Sequence, residues 1–383
     1  MDQPLVFEIN TRCWLRELAD TADRAVTLAT VPDSEFLHWK KFGFTHIWLM
    51  GVWATGPKSR DASRARPELR QFAAEAFGAG DDSCLGCSPY AIANYVVADS
   101  LGGPLALRQF REKLRSHGIA LILDFVPNHV GLDHPWIETK SHLLVTSPTQ
   151  RPETFPVSTP AKTLWVAHGR DPYFPAWNDT AQLDYRNPAT RSAMIDILKS
   201  IADQCDGVRC DMAMLVLNDV FEKTWNTFPP PAPTPSAEFW SEAIPAVKQS
   251  HPNFLFIAEA YWNLESRLQS LGFDYNYDKV FYDKLAHRDF AGLQAHVQSV
   301  ETSFKPVRFL ENHDEPRIAS VLSLPEHEAA ALLLLNQPAM RLLHDGQLTG
   351  RKRRMPVQFE RYWPEPPDPE ITDFYQSLLQ KAR

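Results

Sequence analysis

Residues 119–126, IALILDFV, form an apolar run that only Asp124 interrupts. A strand without alternating polar residues is buried on both faces, as the strands of parallel sheets are. Seven further strand-like runs recur along the chain, at residues 5–10, 44–50, 206–212, 254–260, 273–278, 306–312 and 339–346. The chain therefore predicts eight buried strands.

Helical spacing of apolar residues appears between these runs. The helical segments are residues 33–43, 104–118, 187–203, 236–252, 325–337 and 371–383. Strands that alternate with helices predict a parallel sheet, because each crossover connection is a helix. Eight such units predict an α/β fold of the (β/α)8 TIM barrel type rather than an open doubly wound sheet.

Two irregular stretches interrupt the alternation. Residues 130–187 are rich in Pro, Thr, Trp and His, and a structureless loop of that length is uncommon in a compact domain. We therefore expect a small subdomain at 130–187, inserted after the third strand of a barrel formed by residues 1–129 and 188–383. The second stretch, FPPPAPTPSAEFW at 228–240, is expected to be a stiff proline-rich loop.

Composition and charge restrict the partners. The chain is 44% apolar and 22% charged, as expected of a globular enzyme, and carries a formal net charge of -8. Nucleic acid and anionic membranes both require a basic surface, so neither is an expected partner. No apolar run approaches the roughly 20 residues that span a bilayer. A neutral substrate fits these features best.

The cysteines and the amino-terminal residues indicate the compartment. Five cysteines, an odd number, are scattered along the chain, which suits a reducing environment. The pair in CLGC, residues 84–87, has redox or zinc spacing, but no second pair or histidine cluster accompanies it, so a plain loop is favoured. MDQPLVFEIN lacks the basic and apolar regions of a secretion signal, and we expect a cytoplasmic protein.

Carboxylates close four of the predicted strands. The strand ends read DFVPNH at 124–129, GVRCD at 207–211, FIAEA at 256–260 and FLENHD at 309–314. In a barrel these ends meet at one mouth, where catalytic groups lie. Acids held close together separate in pKa, so that one is suited to protonate a leaving oxygen and another to attack as an anion. This combination predicts glycoside hydrolysis.

Aromatic side chains suited to stacking on sugar rings are frequent in the predicted loops. They are Trp53, Tyr90, Trp165, Tyr173, Trp177, Tyr261 and Trp262. Each alone is more typical of packing, but the group favours a carbohydrate cleft.

The four strand ends resemble, in order and spacing, the four short motifs of the α-amylase family, glycoside hydrolase family 13. The resemblance covers essentially the whole chain. It implies that Asp211 is the nucleophile that forms a covalent glycosyl-enzyme, held ionised and oriented by Arg209. It implies that Glu259 is the general acid/base, and that Asp314 is a third acid that binds ring hydroxyls and favours the transition state.

The same resemblance implies the residues that bind the substrate, an α-linked glucose oligosaccharide or polysaccharide. His129 and His313 match the pair that contacts the sugar in subsite -1. Tyr90 matches the platform under that sugar, and Asp124 matches a structural acid near Arg209.

The resemblance also points to a calcium site, and the sequence differs from the family motifs at some positions. Asn128 matches a position that binds calcium in many members, with Asp184 as a second ligand. Ala213 and Met214 replace a Lys-His pair of many α-amylases, which argues against both the calcium site and endo-acting starch specificity. The β-sandwich domain that usually follows the barrel is expected to be absent.

The stretch RFLENHDEPR, residues 308–317, contains five consecutive polar or ionisable residues. Asn312 is expected to support the histidine and aspartate that follow it. Glu311 and Glu315 are expected to pair with the arginines of this stretch at the barrel rim.

Three functions remain open from the sequence. The first is a retaining glycoside hydrolase that cleaves α-glucosidic bonds in α-glucans or maltooligosaccharides. The second is a glucanotransferase or sugar isomerase with the same three acids, since only the acceptor differs. The third is a non-catalytic carbohydrate-binding relative, which the joint presence of Asp211, Glu259 and Asp314 disfavours.

Overall fold

Eight parallel strands close into a barrel in the computed structural model, which describes residues 3–78, 80, 83–159, 163–231, 233–300 and 303–381. The strands are β1 Leu5–Asn10, β2 His46–Met50, β3 Ala120–Phe125, β4 Gly207–Cys210, β5 Leu255–Ala258, β6 Tyr275–Tyr277, β7 Pro306–Phe309 and β8 Met340–His344. Each strand pairs with its neighbours in chain order, and β8 closes on β1. The predicted (β/α)8 barrel is therefore confirmed, and each of its strands lies within one of the eight predicted segments.

Helices follow the strands. The described helices are Thr11–Ala22, Asp33–Lys41, Pro57–Arg64, Pro67–Phe77, Gly103–Ser116, Trp136–Thr139, Pro188–Ala202, Asn218–Trp225, Phe239–Lys248, Glu265–Ser270, Lys279–Ala286, Phe290–Val300, Ile318–Val321, Leu324–Leu335 and Pro369–Lys381. Their ends carry ordinary start signals: the Asn187 side chain accepts from the backbone N–H of Ala189, and Ser323 forms a capping box with Glu326.

Side chains that alternate along each strand pack into two separate apolar clusters. In β3, Leu121 and Leu123 pack in one apolar cluster with helix residues such as Phe110, whereas Ile122 packs in a second cluster with Val6 of β1. Because successive strand side chains point to opposite faces, the second cluster fills the barrel interior. Both faces of the strands are buried, which explains their continuous apolar runs.

The insertion expected at 130–187 contains strands of its own. His129–Gly131 pairs antiparallel with Thr180–Gln182, near the two ends of the insertion. Between them, Thr146–Ser147, Thr154–Ser158 and Thr163–Ala167 form a small antiparallel sheet. The division into a barrel and a subdomain stays a prediction.

A second excursion follows β2, which the sequence analysis did not anticipate. Trp53–Thr55 pairs antiparallel with Ile92–Val97, and the helices Pro57–Arg64 and Pro67–Phe77 lie between them in the chain. After β8, the described residues contain no second sheet before the helix Pro369–Lys381. None of the helices in the described ranges has the length and apolar character needed to cross a membrane.

Candidate active site

The ends of β4 and β5 bring the first two predicted catalytic acids together. The backbone N–H of Asp211 donates to Phe125 O at 2.9 Å, and that of Glu259 donates to Cys210 O at 3.0 Å, so the strand pairing continues through both residues. Both side chains line a cleft of about 790 Å³. The cleft is also lined by Tyr90, His129, Trp177, Met212, Tyr261 and Asp314.

Arg209 joins the two acids. Its buried guanidinium contacts Asp211 Oδ1 through Nη1 at 2.7 Å and Glu259 Oε2 through Nη2 at 2.8 Å. The aromatic rings of Trp48 and Tyr90 each lie 5.3 Å from the guanidinium carbon. A buried cation needs paired anions to offset its desolvation, so both carboxylates are held on adjacent nitrogens of one rigid group. The predicted orienting position of Arg209 agrees with this geometry.

Asp124 is held behind the cleft, as a structural acid would be. Its carboxylate accepts from Trp48 Nε1 at 3.2 Å and from the Gly51 backbone N–H at 2.9 Å, and it lies 3.9 Å from Arg209 Nη1. Burial, against the charge of Arg209, raises the pKa of Asp124 to about 7. Asp124 is absent from the cleft lining.

Glu259 accepts hydrogen bonds at both oxygens. The Met212 backbone N–H donates to Oε2 at 2.6 Å, and the Tyr261 hydroxyl donates to Oε1 at 2.7 Å. Met212 adopts a left-handed conformation, with φ 42° and ψ 50°, which is unfavourable for a residue with a side chain. Burial, opposed by Arg209, raises the pKa of Glu259 to about 7. The group is thereby suited to hold and release a proton near neutrality.

Asp211 has a different environment. Burial raises its pKa above the ordinary value, while the charge and hydrogen bond of Arg209 act in the opposite direction. The carboxylate is in direct contact with the permanent positive charge of Arg209, and this contact favours its ionised form. Asp211 therefore has the features of an anionic nucleophile.

Asp314 lies at the mouth of the cleft, where its side chain is 46% exposed. Its Oδ2 is 3.1 Å from His313 Nε2, which also lies 2.8 Å from the Tyr90 hydroxyl. Desolvation would raise the pKa of Asp314, but the adjacent His313 holds it well below its usual range. Asn312 supports the turn, since its side chain accepts from the backbone N–H of Asp314 at 2.9 Å, as expected.

His129 lines the cleft on the side of the insertion. Its ring lies 5.1 Å from that of Trp177. Burial lowers the pKa of His129 to about 4, so the imidazole is neutral at physiological pH. It is thus suited to hydrogen bond a neutral sugar hydroxyl without adding charge to the cleft.

The residues that matched a calcium site do not fit one. Both carboxylate oxygens of Asp184 pair with Arg186, at 2.9 and 2.8 Å, and Asn128 Oδ1 accepts from Gln182 Nε2 at 3.0 Å. In the described ranges, no cluster of three or more His, Cys, Asp or Glu side chains is arranged to hold a metal ion. Calcium requires six to eight oxygen ligands, whereas here Arg186 neutralises the Asp184 carboxylate and the Asn128 oxygen already accepts a protein hydrogen bond.

Ala213 and Met214, the departures after the nucleophile, lie in the core rather than in the cleft. Both are completely buried, and Ala213 O accepts from Trp240 Nε1 at 2.8 Å. Their apolar side chains are explained by this packing. Met212 and Tyr261 line the cleft beside Glu259 instead.

Two of the predictions for RFLENHDEPR are wrong in part. Glu311 does pair with Arg317, at 2.7 Å, but the pair is buried inside the protein and not at the rim. Glu315 pairs with Lys279 at 3.2 Å and not with an arginine. Buried pairs of this kind stay paired because a lone charge in the interior is costly.

The aromatic residues divide among the cleft, the core and the surface, where Tyr173 is 58% and Trp262 37% exposed. Tyr90, Trp177 and Tyr261 line the cleft, as a sugar-binding surface requires. Trp53 is completely buried, and its indole N–H donates to a backbone carbonyl of the barrel at 2.8 Å. Trp53 is thus a packing residue, as each of these aromatics taken alone was expected to be.

Sequence reasoning missed Glu8 of β1. This residue is completely buried, and its carboxylate contacts Nδ1 of His313. The available signal was an acid inside the apolar run LVFEIN, since a strand rarely buries a charge without a partner. The identity of that partner could not be obtained from the run itself.

Two curated proteins are similar to this chain in sequence. Among curated proteins, the chain is 25% identical over 269 residues to alpha-amylase MalA of Haloarcula japonica, which covers 68% of this chain and 36% of the relative. It is 25% identical over 275 residues to trehalose-6-phosphate hydrolase of Escherichia coli, with 60% and 48% covered. The chain thus spans about a third to a half of the length of these relatives.

Solved structures share the fold. An alpha-amylase from Lactobacillus plantarum superposes with a TM-score of 0.68 and 20% identity, over 99% of this chain and 79% of that one. An alpha-amylase from Geobacillus thermoleovorans, complexed with acarbose, superposes with a TM-score of 0.67 and 20% identity, over 99% of this chain and 79% of that one. A family model described as alpha amylase, catalytic domain, matches residues 35–352. The chain therefore belongs to the family defined by the α-amylase catalytic domain.

Proposed function

We propose that this protein is a retaining glycoside hydrolase that cleaves α-glucosidic bonds in α-glucans or maltooligosaccharides. The observation that carries the proposal is the shared contact of Asp211 and Glu259 with adjacent nitrogens of Arg209. It ties both carboxyl groups to one guanidinium, which supports the short separation of a double displacement; an inverting enzyme leaves room for a water between its acids.

In the first step Asp211 attacks the anomeric carbon while Glu259 donates its proton to the leaving glycosidic oxygen. The carbon–oxygen bond to the leaving sugar breaks, and an ester between Asp211 and the sugar forms. In the second step the Glu259 carboxylate takes a proton from water, whose oxygen attacks the same carbon and releases Asp211. Asp314 and the two histidines would bind ring hydroxyls during both steps.

The pH profile of kcat/KM is expected to be bell-shaped and narrow. Asp211 must be ionised to attack, and burial raises its pKa, so activity is lost on acidification earlier than for an ordinary aspartate near about 3.9. Glu259 must hold a proton, and burial raises its pKa to about 7, so activity is lost as the pH rises through that value. Initial rates over about pH 4 to 9 measure both limbs. An alkaline limb far above neutrality would contradict the assignment of Glu259.

The stereochemistry of the first product tests the retaining mechanism. We expect the α-anomer to appear first, because two inversions at one carbon restore its configuration. Proton NMR of the anomeric signals during the first minutes of hydrolysis distinguishes it from the product of mutarotation. Initial release of the β-anomer would contradict the proposal.

A panel of α-1,4 and α-1,6 glucosides, sucrose, trehalose and trehalose 6-phosphate identifies the preferred bond.

A second candidate function is glucanotransfer. Met212 and Tyr261 line the cleft beside Glu259, and together they offer an apolar surface against which an acceptor sugar could pack. The same glycosyl-enzyme then reacts with a sugar hydroxyl in place of water. Chain-lengthened products from a single maltooligosaccharide would support this function over hydrolysis.

A further inference from the structure

Glu8 is a buried acid that the mechanism above leaves without a role. It lies on the interior face of the barrel, two residues after Val6, which belongs to the interior cluster. Its backbone is fixed between Trp48 of β2 and His344 of β8 in the strand register. The side chain is 0% exposed. The carboxylate is therefore held at one place in the interior of the barrel.

The carboxylate of Glu8 is directed at one ring nitrogen. Its Oε1 contacts Nδ1 of His313, and among the described residues its Oε2 has no hydrogen-bond partner. On the other side of the ring, Nε2 lies 3.1 Å from Asp314 and 2.8 Å from the Tyr90 hydroxyl. His313 thus connects an acid that is sealed from solvent to an acid that lines the cleft.

An imidazole between two carboxylates binds both of them only as the imidazolium, because each nitrogen must then carry a proton. Burial opposes that charge, but Asp314 and Glu8 raise the pKa of His313 well above its usual value. The titratable or charged groups that face or interact with the ring are Glu8, Tyr90, Asp124, Asp211, Asp314 and His344. Glu8 and Asp314 are the two carboxylates among them that lie within contact distance of its nitrogens.

We propose that Glu8 is a positioning residue, whose carboxylate keeps His313 doubly protonated so that Nε2 always donates toward Asp314 and a bound sugar hydroxyl. The inference rests on the proposed function of the cleft. Neutral His313 would be free to carry its single proton on Nδ1, and Nε2 would then present a lone pair to Asp314. Glu8 excludes the neutral ring as a whole, because its negative charge favours a second proton, on Nε2, beside the one that its oxygen accepts from Nδ1.

The direct test is the titration of His313 in the ligand-free protein. Nitrogen-15 NMR of labelled histidines reports the protonation of each ring nitrogen, and the signal is assigned by its loss in His313→Gln. We expect His313 of the wild type to remain imidazolium above neutral pH. In Glu8→Gln, which keeps an acceptor of the same shape but removes the charge, the pKa of His313 should fall by about 1 to 3 units.

The activity profile of Glu8→Gln supplies a readout that a merely structural role would not change. In the wild type the alkaline limb reflects loss of one proton from Glu259. In Glu8→Gln a second proton, from His313, is lost in the same range, so the limb should move to lower pH and approach a slope of two. Below about pH 5, where His313 is protonated in both proteins, kcat/KM should return toward the wild-type value.

Glu315→Gln is the matched control. It removes a negative charge from the loop of Asp314, but Glu315 pairs with Lys279 and does not contact His313. We expect it to leave the titration of His313 and the slope of the alkaline limb unchanged.

Three results would overturn the proposal: a wild-type His313 that titrates near the ordinary value of about 6.5, an unchanged titration in Glu8→Gln, or a loss of activity in Glu8→Gln that is equal at every pH. Should Glu8→Gln fail to fold, a wild-type His313 that titrates near the ordinary value would still overturn the proposal. An inactive wild-type protein on all α-glucosides would contradict the proposed function. The titration does not depend on turnover, so the two failures are distinguishable.

Discussion

Replacing Asp211 with Asn is expected to reduce kcat on a maltooligosaccharide by about 10⁴- to 10⁶-fold, the range found when single members of a catalytic triad are removed. The amide is nearly isosteric with the carboxylate but does not attack the anomeric carbon. Arg209 keeps its contact with Glu259, so the framework of the site should persist. Rates are measured at the pH optimum, and thermal unfolding verifies that the variant is folded.

Asp219→Asn is the matched control for this variant. Asp219 lies eight positions further along the chain and pairs with Arg267 at 2.9 Å, with its side chain 65% exposed. The same chemical change there should leave kcat unaltered. A fluorinated glycosyl fluoride that forms a slowly hydrolysed ester should label the peptide with Asp211 in the wild type and in the control, as detected by mass spectrometry. Near-normal turnover by Asp211→Asn, or a label on another acid, would contradict the assigned nucleophile.

Glu259→Gln is expected to reduce kcat on maltooligosaccharides by about 10²- to 10⁴-fold, because a sugar alkoxide leaves poorly without a proton donor. The size of the effect should depend on the leaving group. A glucosyl fluoride requires no proton, so formation of its glycosyl-enzyme should be nearly as fast as in the wild type. The pre-steady-state burst on the fluoride, followed by slow turnover, measures the two steps separately.

Glu242→Gln serves as the control for the second variant, since Glu242 is exposed on the helix Phe239–Lys248. It should behave as the wild type on both substrates. Equal losses for Glu259→Gln on the fluoride and the maltooligosaccharide would show that the residue acts in binding or folding rather than in proton transfer. The alkaline limb of kcat/KM should be absent for the fluoride in the wild type as well, because its departure needs no proton from Glu259.

The barrel could be predicted from the sequence because its signal is local. A strand with both faces covered must be apolar throughout, as in IALILDFV, and the change from this pattern to helical spacing marks each strand and helix. The same argument located the candidate acids. Asp211 and Glu259 each follow directly after a barrel strand, and parallel strands place their carboxyl ends on one face. The excursion at 53–97 was missed because its first strand, Trp53–Thr55, has only three residues and its second, Ile92–Val97, is not apolar throughout.

The sequence by itself determined the eight-stranded barrel and the residues that end its strands near the cleft, since both follow from local periodicity and chain direction. Only the tertiary structure decided the partners of those residues. Glu8 and His313 lie 305 positions apart along the chain, and Glu311 is buried against Arg317 rather than exposed at the rim. Such pairs form because a charge removed from water must find a counter-charge within contact distance, and that distance is set by the closed sheet.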